Sequence, residues 1–183
     1  MKRMILVFSL LVFSGAALAE TPFQFAAPNL RAPDDPNVSG IRFAVIHGKN
    51  QSVRGIDLGL FSLSETTHLS GLSAVLGIDK LNGDMSGCAS SLINVHTGKD
   101  TGLNAALVNR INTVESGANV GFVNVADGYT MLDLGGVNVS DGSSVQLGFL
   151  NVTKKLTGVQ IGFLNLAENG FLPMFPFFNF PKN

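Results

Sequence analysis

The sequence is short of several things. Its one cysteine, Cys88, cannot close an internal disulfide, so stability must come from packing and hydrogen bonds. Tryptophan is absent and tyrosine occurs once, as Tyr129, so phenylalanine supplies nearly all of the aromatic content. Charged residues make up only 14% of the chain, and 12 Lys and Arg nearly cancel 13 Asp and Glu to leave a net charge of −1. That balance lacks the basic face that nucleic acid requires. It also lacks the polybasic patch that anchors a chain to anionic lipid. Beyond the N-terminus, no apolar run approaches the ~20 residues of a membrane-spanning helix.

The N-terminus carries the marks of export. Lys2 and Arg3 form a positive start, Met4 to Phe13 is an apolar stretch too short to span a bilayer, and Ala17-Leu18-Ala19 is a small-x-small cleavage motif. Residues 1–19 are therefore expected to be a signal peptide, with the exported chain starting at Glu20. No cysteine follows the apolar stretch, so lipid attachment there has no acceptor. Residues 20–38 hold Pro22, Pro28, Pro33 and Pro36, which predicts an extended leader outside any sheet.

What the chain does have is a repeat. Gly158-Val159-Gln160-Ile161-Gly162-Phe163-Leu164-Asn165-Leu166 matches residues 144–152 (SVQLGFLNV) and residues 117–125 (GANVGFVNV). Anchoring on the Asn extends the series backwards through His47, Ser62, Asp79, Asn94, Asn109, Asn124, Asn138, Asn151 and Asn165, at spacings of 13 to 17 residues. Three residues before the anchor the chain is mostly small, as at Gly121, Gly135, Gly148 and Gly162. Five before it is mostly polar, as at Asn104, Asn119, Asp133, Gln146 and Gln160, and six before it is mostly apolar, as at Ile41, Ile56, Leu103, Val145 and Val159.

Apolar and polar residues alternate in the first half of each unit, which is the period of a strand. Turn-formers such as Asp127-Gly128 and Asp141-Gly142-Ser143 separate the units. A unit this short cannot bury its own apolar side, and stacking is the usual solution. The expected fold is all-β: a single parallel β-solenoid of about nine 13–17-residue coils over residues 39–169. Equivalent residues then lie ~4.8 Å apart. Asn94, Asn109, Asn124, Asn138, Asn151 and Asn165 would form an inward ladder, each amide accepting from one neighbour and donating to the next. Each coil would shelter the apolar side of the next, with Cys88, in the apolar column, as a small buried side chain.

Chemistry is sparse. His47, His68 and His96 fall in three different columns, so they form no metal-ligand ladder and are expected at turns or on the surface. Asp79 and Asp84 are expected in a loop around Gly83, with too few oxygen ligands nearby for calcium. Lys154 and Lys155 share a turn that has no carboxylate close in the repeat. Asn37, Asn50, Asn138 and Asn151 begin Asn-x-Ser/Thr triplets, which an Asn column followed by a polar turn produces on its own. No catalytic residue, cofactor or metal site is expected.

Residues 170–183 interleave Phe171, Phe175, Phe177, Phe178 and Phe180 with Pro173, Pro176 and Pro181. The expected role is a C-terminal cap, with Phe filling the open end and Pro blocking further strand addition; a docking segment is the other reading. This tail, together with the repeat of residues 117–166, resembles the bacterial exported surface-repeat proteins. The match covers about residues 117–180 and is faint before residue 85. The resemblance implies an envelope or surface location and supplies no activity and no functional residues. The expected function is then a non-enzymatic structural or binding module of the cell envelope, facing a polymer or protein partner in the periplasm, at the outer membrane or on the cell surface. The alternative is an integral outer-membrane β-barrel, which the missing aromatic girdles disfavour.

Overall fold

The computed structural model describes residues 21–182; the expected signal peptide and Glu20 lie outside them. The described chain is all-β, a stack of parallel coils of about seven turns. Its extended runs are β1 (Thr21–Ala27), β2 (Leu30–Ala32), β3 (Asn37–Leu81), β4 (Met85–Ala105), β5 (Val108–Ala167) and β6 (Met174–Asn179). β3 and β5, at 45 and 60 residues, are far longer than any flat strand and wind round the axis for several coils. β3, β4 and β5 pair in parallel, with Asp79 opposite Asn94, Asn94 opposite Asn109, and Asn104 opposite Asn119.

A glycine column shows why coils of this length stack so closely. Gly55, Gly71, Gly87, Gly102 and Gly117 all have φ between +126° and +137°, a region that side chains avoid. A Cβ built on Gly102 would lie 1.7 Å from the carbonyl oxygen of Gly87 one coil earlier, and one on Gly117 just as close to that of Gly102. The chain therefore bends at one place in each of these coils, and backbone passes directly over backbone.

An antiparallel strand pairs at each end of the sheet. β1 runs parallel to β3, placing Thr21 opposite Val38 and Phe25 opposite Phe43, and β2 folds back along β1. The expected leader is thus corrected in part. Thr21–Ala27 belongs to the sheet: Pro22 falls at a register shift between Thr21 and Phe23, Pro28 follows the strand, and the pairing from Phe23 to Ala26 between them is regular. At the other end β6 lies antiparallel to the final coil, with Gln160 opposite Asn179 and Asn165 opposite Phe175.

The polarity of the coils is the main departure from expectation. The polar column turns inward: Arg42, Asp57, Asn104, Asn119, Asp133, Gln146 and Gln160 are all buried. The apolar column beside it faces out, with Ile41, Ile56 and Leu103 exposed. Cys88 is exposed too, because its neighbour Ala89 takes the inward position. An apolar cluster inside the early coils joins Val38, Val53, Leu69, Met85, Leu81 and Ala89, and Ile111, Val114 and Leu156 are buried in the later coils.

Candidate functional site

The inward Asn column forms a continuous chain of amides. Asn94 Nδ2 donates to Asn109 Oδ1 at 2.9 Å. The same bond recurs at 2.8 Å from Asn109 to Asn124, Asn124 to Asn138, Asn138 to Asn151 and Asn151 to Asn165. The second amide hydrogen is used as regularly: it reaches the carbonyls of Val120, Leu134, Leu147 and Ile161, each four residues before the next Asn. A buried amide left unpaired would cost free energy; here both hydrogens and the oxygen are matched in every inner rung. The small column makes room for this. A Cβ on Gly148 would lie 2.3 Å from the Gly135 carbonyl oxygen and 2.6 Å from Asn138 Nδ2.

A second ladder runs through the polar column. Asn104 donates to Asn119 at 3.1 Å, and Asn119 donates to Asp133 Oδ1 at 2.9 Å. From the other direction Gln160 donates to Gln146 at 2.8 Å, and Gln146 donates to Asp133 Oδ2 at 3.4 Å. Thr130 Oγ1 adds a bond at 2.6 Å. Donors thus converge on Asp133 from both sides. Burial raises the pKa of its carboxyl, and the bonds from Thr130, Asn119 and Gln146 oppose that rise.

The early coils hold ionisable groups in the same interior. Arg42 makes a bidentate, fully buried pair with Asp57, and Ser64 bonds to both. Asp79 is buried within β3 and bonded to Ser73, rather than lying in the loop with exposed Asp84. Burial pushes its pKa up to about 6, with the field of His96 the largest opposing influence. His96 is likewise buried, not at a turn, because it lies two residues after Asn94 on the same side of the strand. Its Nδ1 meets Asp100 Oδ2 at 2.6 Å, and Asn104 donates to the same oxygen. His68 is exposed beside a shallow groove of about 380 Å³ that it shares with Arg54 and Gln51. Among the described residues, no group of three or more His, Cys, Asp or Glu is placed to hold a metal ion.

The outside of the coil divides into two regions. Just before the Asn anchor, two successive residues point outward, as at Phe122 and Val123, between buried Asn119 and Asn124. At the equivalent bends, Ile46 and Phe61 take positive φ of 67° and 46°. These bends stack into a convex ridge. Leu107, Phe122, Phe149 and Phe163 are 61%, 71%, 65% and 60% exposed, and the rings of Phe149 and Phe163 stack at 4.8 Å. The turns after the anchor carry charge of both signs. Lys99 pairs with Glu115 at 2.8 Å and Lys154 with Asp141 at 2.7 Å, so Lys154 has a carboxylate partner one coil back that its own turn did not reveal. Asn50, Asn138 and Asn151 are buried, which closes those triplets to modification in the folded chain.

The tail does not place its rings as expected. Phe171, Phe177, Phe178 and Phe180 are exposed, and Phe175 is half-buried. The buried side chain of β6 is Asn179, which donates to the carbonyl of Leu172. The rings cluster on the outside, Phe171 stacking on Phe180 at 5.2 Å and Phe175 meeting Phe178 edge-on at 5.4 Å. Against the last coil lies the backbone of β6: Asn165 Nδ2 donates to Phe175 O at 3.3 Å, as the earlier Asn residues do to the next coil.

No family model, curated protein or solved structure matches the chain.

Proposed function

We propose that the protein is a non-enzymatic structural or binding module of the bacterial cell envelope, exported by cleavage after Ala19. The observation that carries this is the inversion of polarity. Hydrogen-bonded amide ladders run through the interior beside buried apolar side chains, and exposed apolar side chains recur along the outside. A regular outer face repeated at ~4.8 Å suits a polymer or a protein partner. The export signal and the resemblance to exported surface-repeat proteins support the location. One coil per anchor from His47 to Asn165 would make nine coils in all, with β6 as the cap of the last. The barrel alternative requires antiparallel neighbours all round, whereas β3, β4 and β5 pair in parallel.

Fractionation of cells carrying the full-length gene with a C-terminal tag tests this reading. The mature chain, lacking residues 1–19 by mass, is expected in the envelope or on the surface, and to be retained by envelope polymer or protein in a pulldown. An uncleaved chain in the cytosolic fraction would refute it.

A further inference from the structure

We propose that Asn82 is a site of spontaneous deamidation in the folded protein, where the chain gains one carboxylate, and that the fold holds the second Asn-Gly pair, Asn169-Gly170, inert. The proposal is independent of the envelope reading, because it needs only the folded chain and water.

The sequence contains two Asn-Gly pairs, at 82–83 and 169–170. In such a pair the backbone nitrogen of Gly attacks the side-chain carbonyl carbon of Asn, since no Cβ on the second residue blocks the approach. The nitrogen gives up its proton and bonds to Cγ, the Cγ–Nδ2 bond breaks, and ammonia leaves. The product is a five-membered succinimide. Water then adds to one of its two carbonyls, and the ring opens to aspartate or to isoaspartate. Nothing is oxidised or reduced, and solvent is the only co-reactant. Two conditions follow. The Gly N–H must be free of a hydrogen bond, and the Asn side chain must be free to turn back on it.

Asn82 meets both conditions. It lies in residues 82–84, the irregular stretch between β3 and β4, and it is exposed. Among the described residues, neither its side-chain amide nor the N–H of Gly83 finds a hydrogen-bond partner. The backbone on either side is fixed. Asn82 N donates to Thr66 O at 2.9 Å, Asp84 O accepts from Leu69 N at 3.2 Å, and Asp84 Oδ1 accepts from Lys99 N at 2.9 Å. The loop therefore stays in place while its reacting groups remain loose, and the reaction needs no unfolding.

Asn169 meets neither condition. Its Oδ1 accepts from Leu156 N at 2.7 Å and its Nδ2 donates to Leu156 O at 2.8 Å, which ties the amide to the backbone of the preceding coil. The N–H of Gly170 donates to Ala167 O at 3.0 Å, and Gly170 is buried against the side chain of Asn179. Attack there waits on local opening of the tail. The same dipeptide thus reacts at one end of the stack's interior and is locked at its close. The carboxylate formed at Asn82 is ionised at neutral pH and stands two residues from exposed Asp84, so ageing adds a second negative charge to this loop.

The full mature chain is incubated in mildly alkaline buffer, once folded and once in guanidinium, and samples are digested with trypsin. Cleavage after Lys80, Lys99 and Lys155 puts Asn82 in the peptide 81–99 and Asn169 in the peptide 156–182. From the folded chain the first peptide gains about one dalton, fragmentation assigns the change to Asn82 rather than Asn94, and an isoaspartate methyltransferase labels part of it. The second peptide changes at least about tenfold more slowly, because its hydrogen bonds must open first. In guanidinium the two sites react at similar rates. Asn82→Gln, with an unchanged circular dichroism spectrum, removes the acidic band that the ageing native chain develops on isoelectric focusing.

Equal rates at the two sites in the folded chain overturn the proposal. So does an Asn82 that is stable when folded yet reacts in guanidinium. An acidic band that persists in Asn82→Gln overturns it as well, by placing the new charge elsewhere.

Discussion

Asn138 shows how much one side chain does in this fold. It accepts from Asn124, donates to Asn151, and donates again to the carbonyl of Leu147. Asn138→Leu is near in volume but strands three buried partners at once, and each stranded group costs roughly 1–3 kcal/mol. The expected loss is about 3 kcal/mol or more, read as a lower urea midpoint; a change within error would show that the ladder is incidental to stability. Asp79 gives a pH signature. Its pKa rises from 3.8 to about 6, chiefly through burial. An acid with a raised folded pKa opposes folding once it is ionised. The cost is absent below the unfolded pKa, grows as pH climbs through about 6, and is complete above that, on the order of 3 kcal/mol. Stability is thus expected to fall between about pH 4 and pH 7 from this group, and Asp79→Asn to flatten the decline; parallel pH curves for the two proteins would exclude the effect. The repeating Asn was plain in the sequence because one residue type recurs at a near-constant interval. The inward turn of the −5 column was not. Strand alternation assigns residues five apart to opposite sides, and only the bend at positions such as Phe122-Val123 brings Asn119 and Asn124 to the same side. Cys88 was misplaced by that same phase error.

At the level of elements, the bend glycines set the close approach of successive coils, and a strand pairs with the stack at each end. At β6, Phe175 O takes the bond that a following coil would accept from Asn165. Pro176 within β6, and Pro173 and Pro181 on either side of it, remove donors that another strand would need. Ending the chain after Ala167 is expected to expose the edge of the final coil from Gln160 to Leu166, and to give a protein that forms thioflavin-positive aggregates where the intact chain stays dispersed. A truncated chain that remains dispersed would mean that β6 has no protective role. Proline spacing in the tail pointed to a terminating segment, but composition alone could not tell whether rings or backbone do the covering. Antiparallel pairing lays the backbone of β6 along the final coil and leaves the rings outward. At the N-terminus the prolines misled in the other direction, because Pro22 and Pro28 bracket a pairing strand without breaking it.

Taken whole, the molecule keeps its amide ladders and the Arg42–Asp57 pair inside, and the Lys99 and Lys154 ion pairs on an open edge. Exposed pairs are screened by water and salt and contribute little. Its urea midpoint is therefore expected to be almost the same at low salt and at about 0.5 M NaCl, and a large shift would place more of the stability on the Lys99 and Lys154 pairs than this account allows. The stack also has an origin. In the Asn column every amide points the same way, so an extra coil bearing Asn fits between any two rungs. In the second column the donors converge on the carboxylate of Asp133. A duplicated coil that carried this Asp would set two acceptors face to face with nothing to give between them. New coils are tolerated on either side of that seam but the seam itself cannot be copied, so gain or loss of length in such a chain must be counted outward from Asp133.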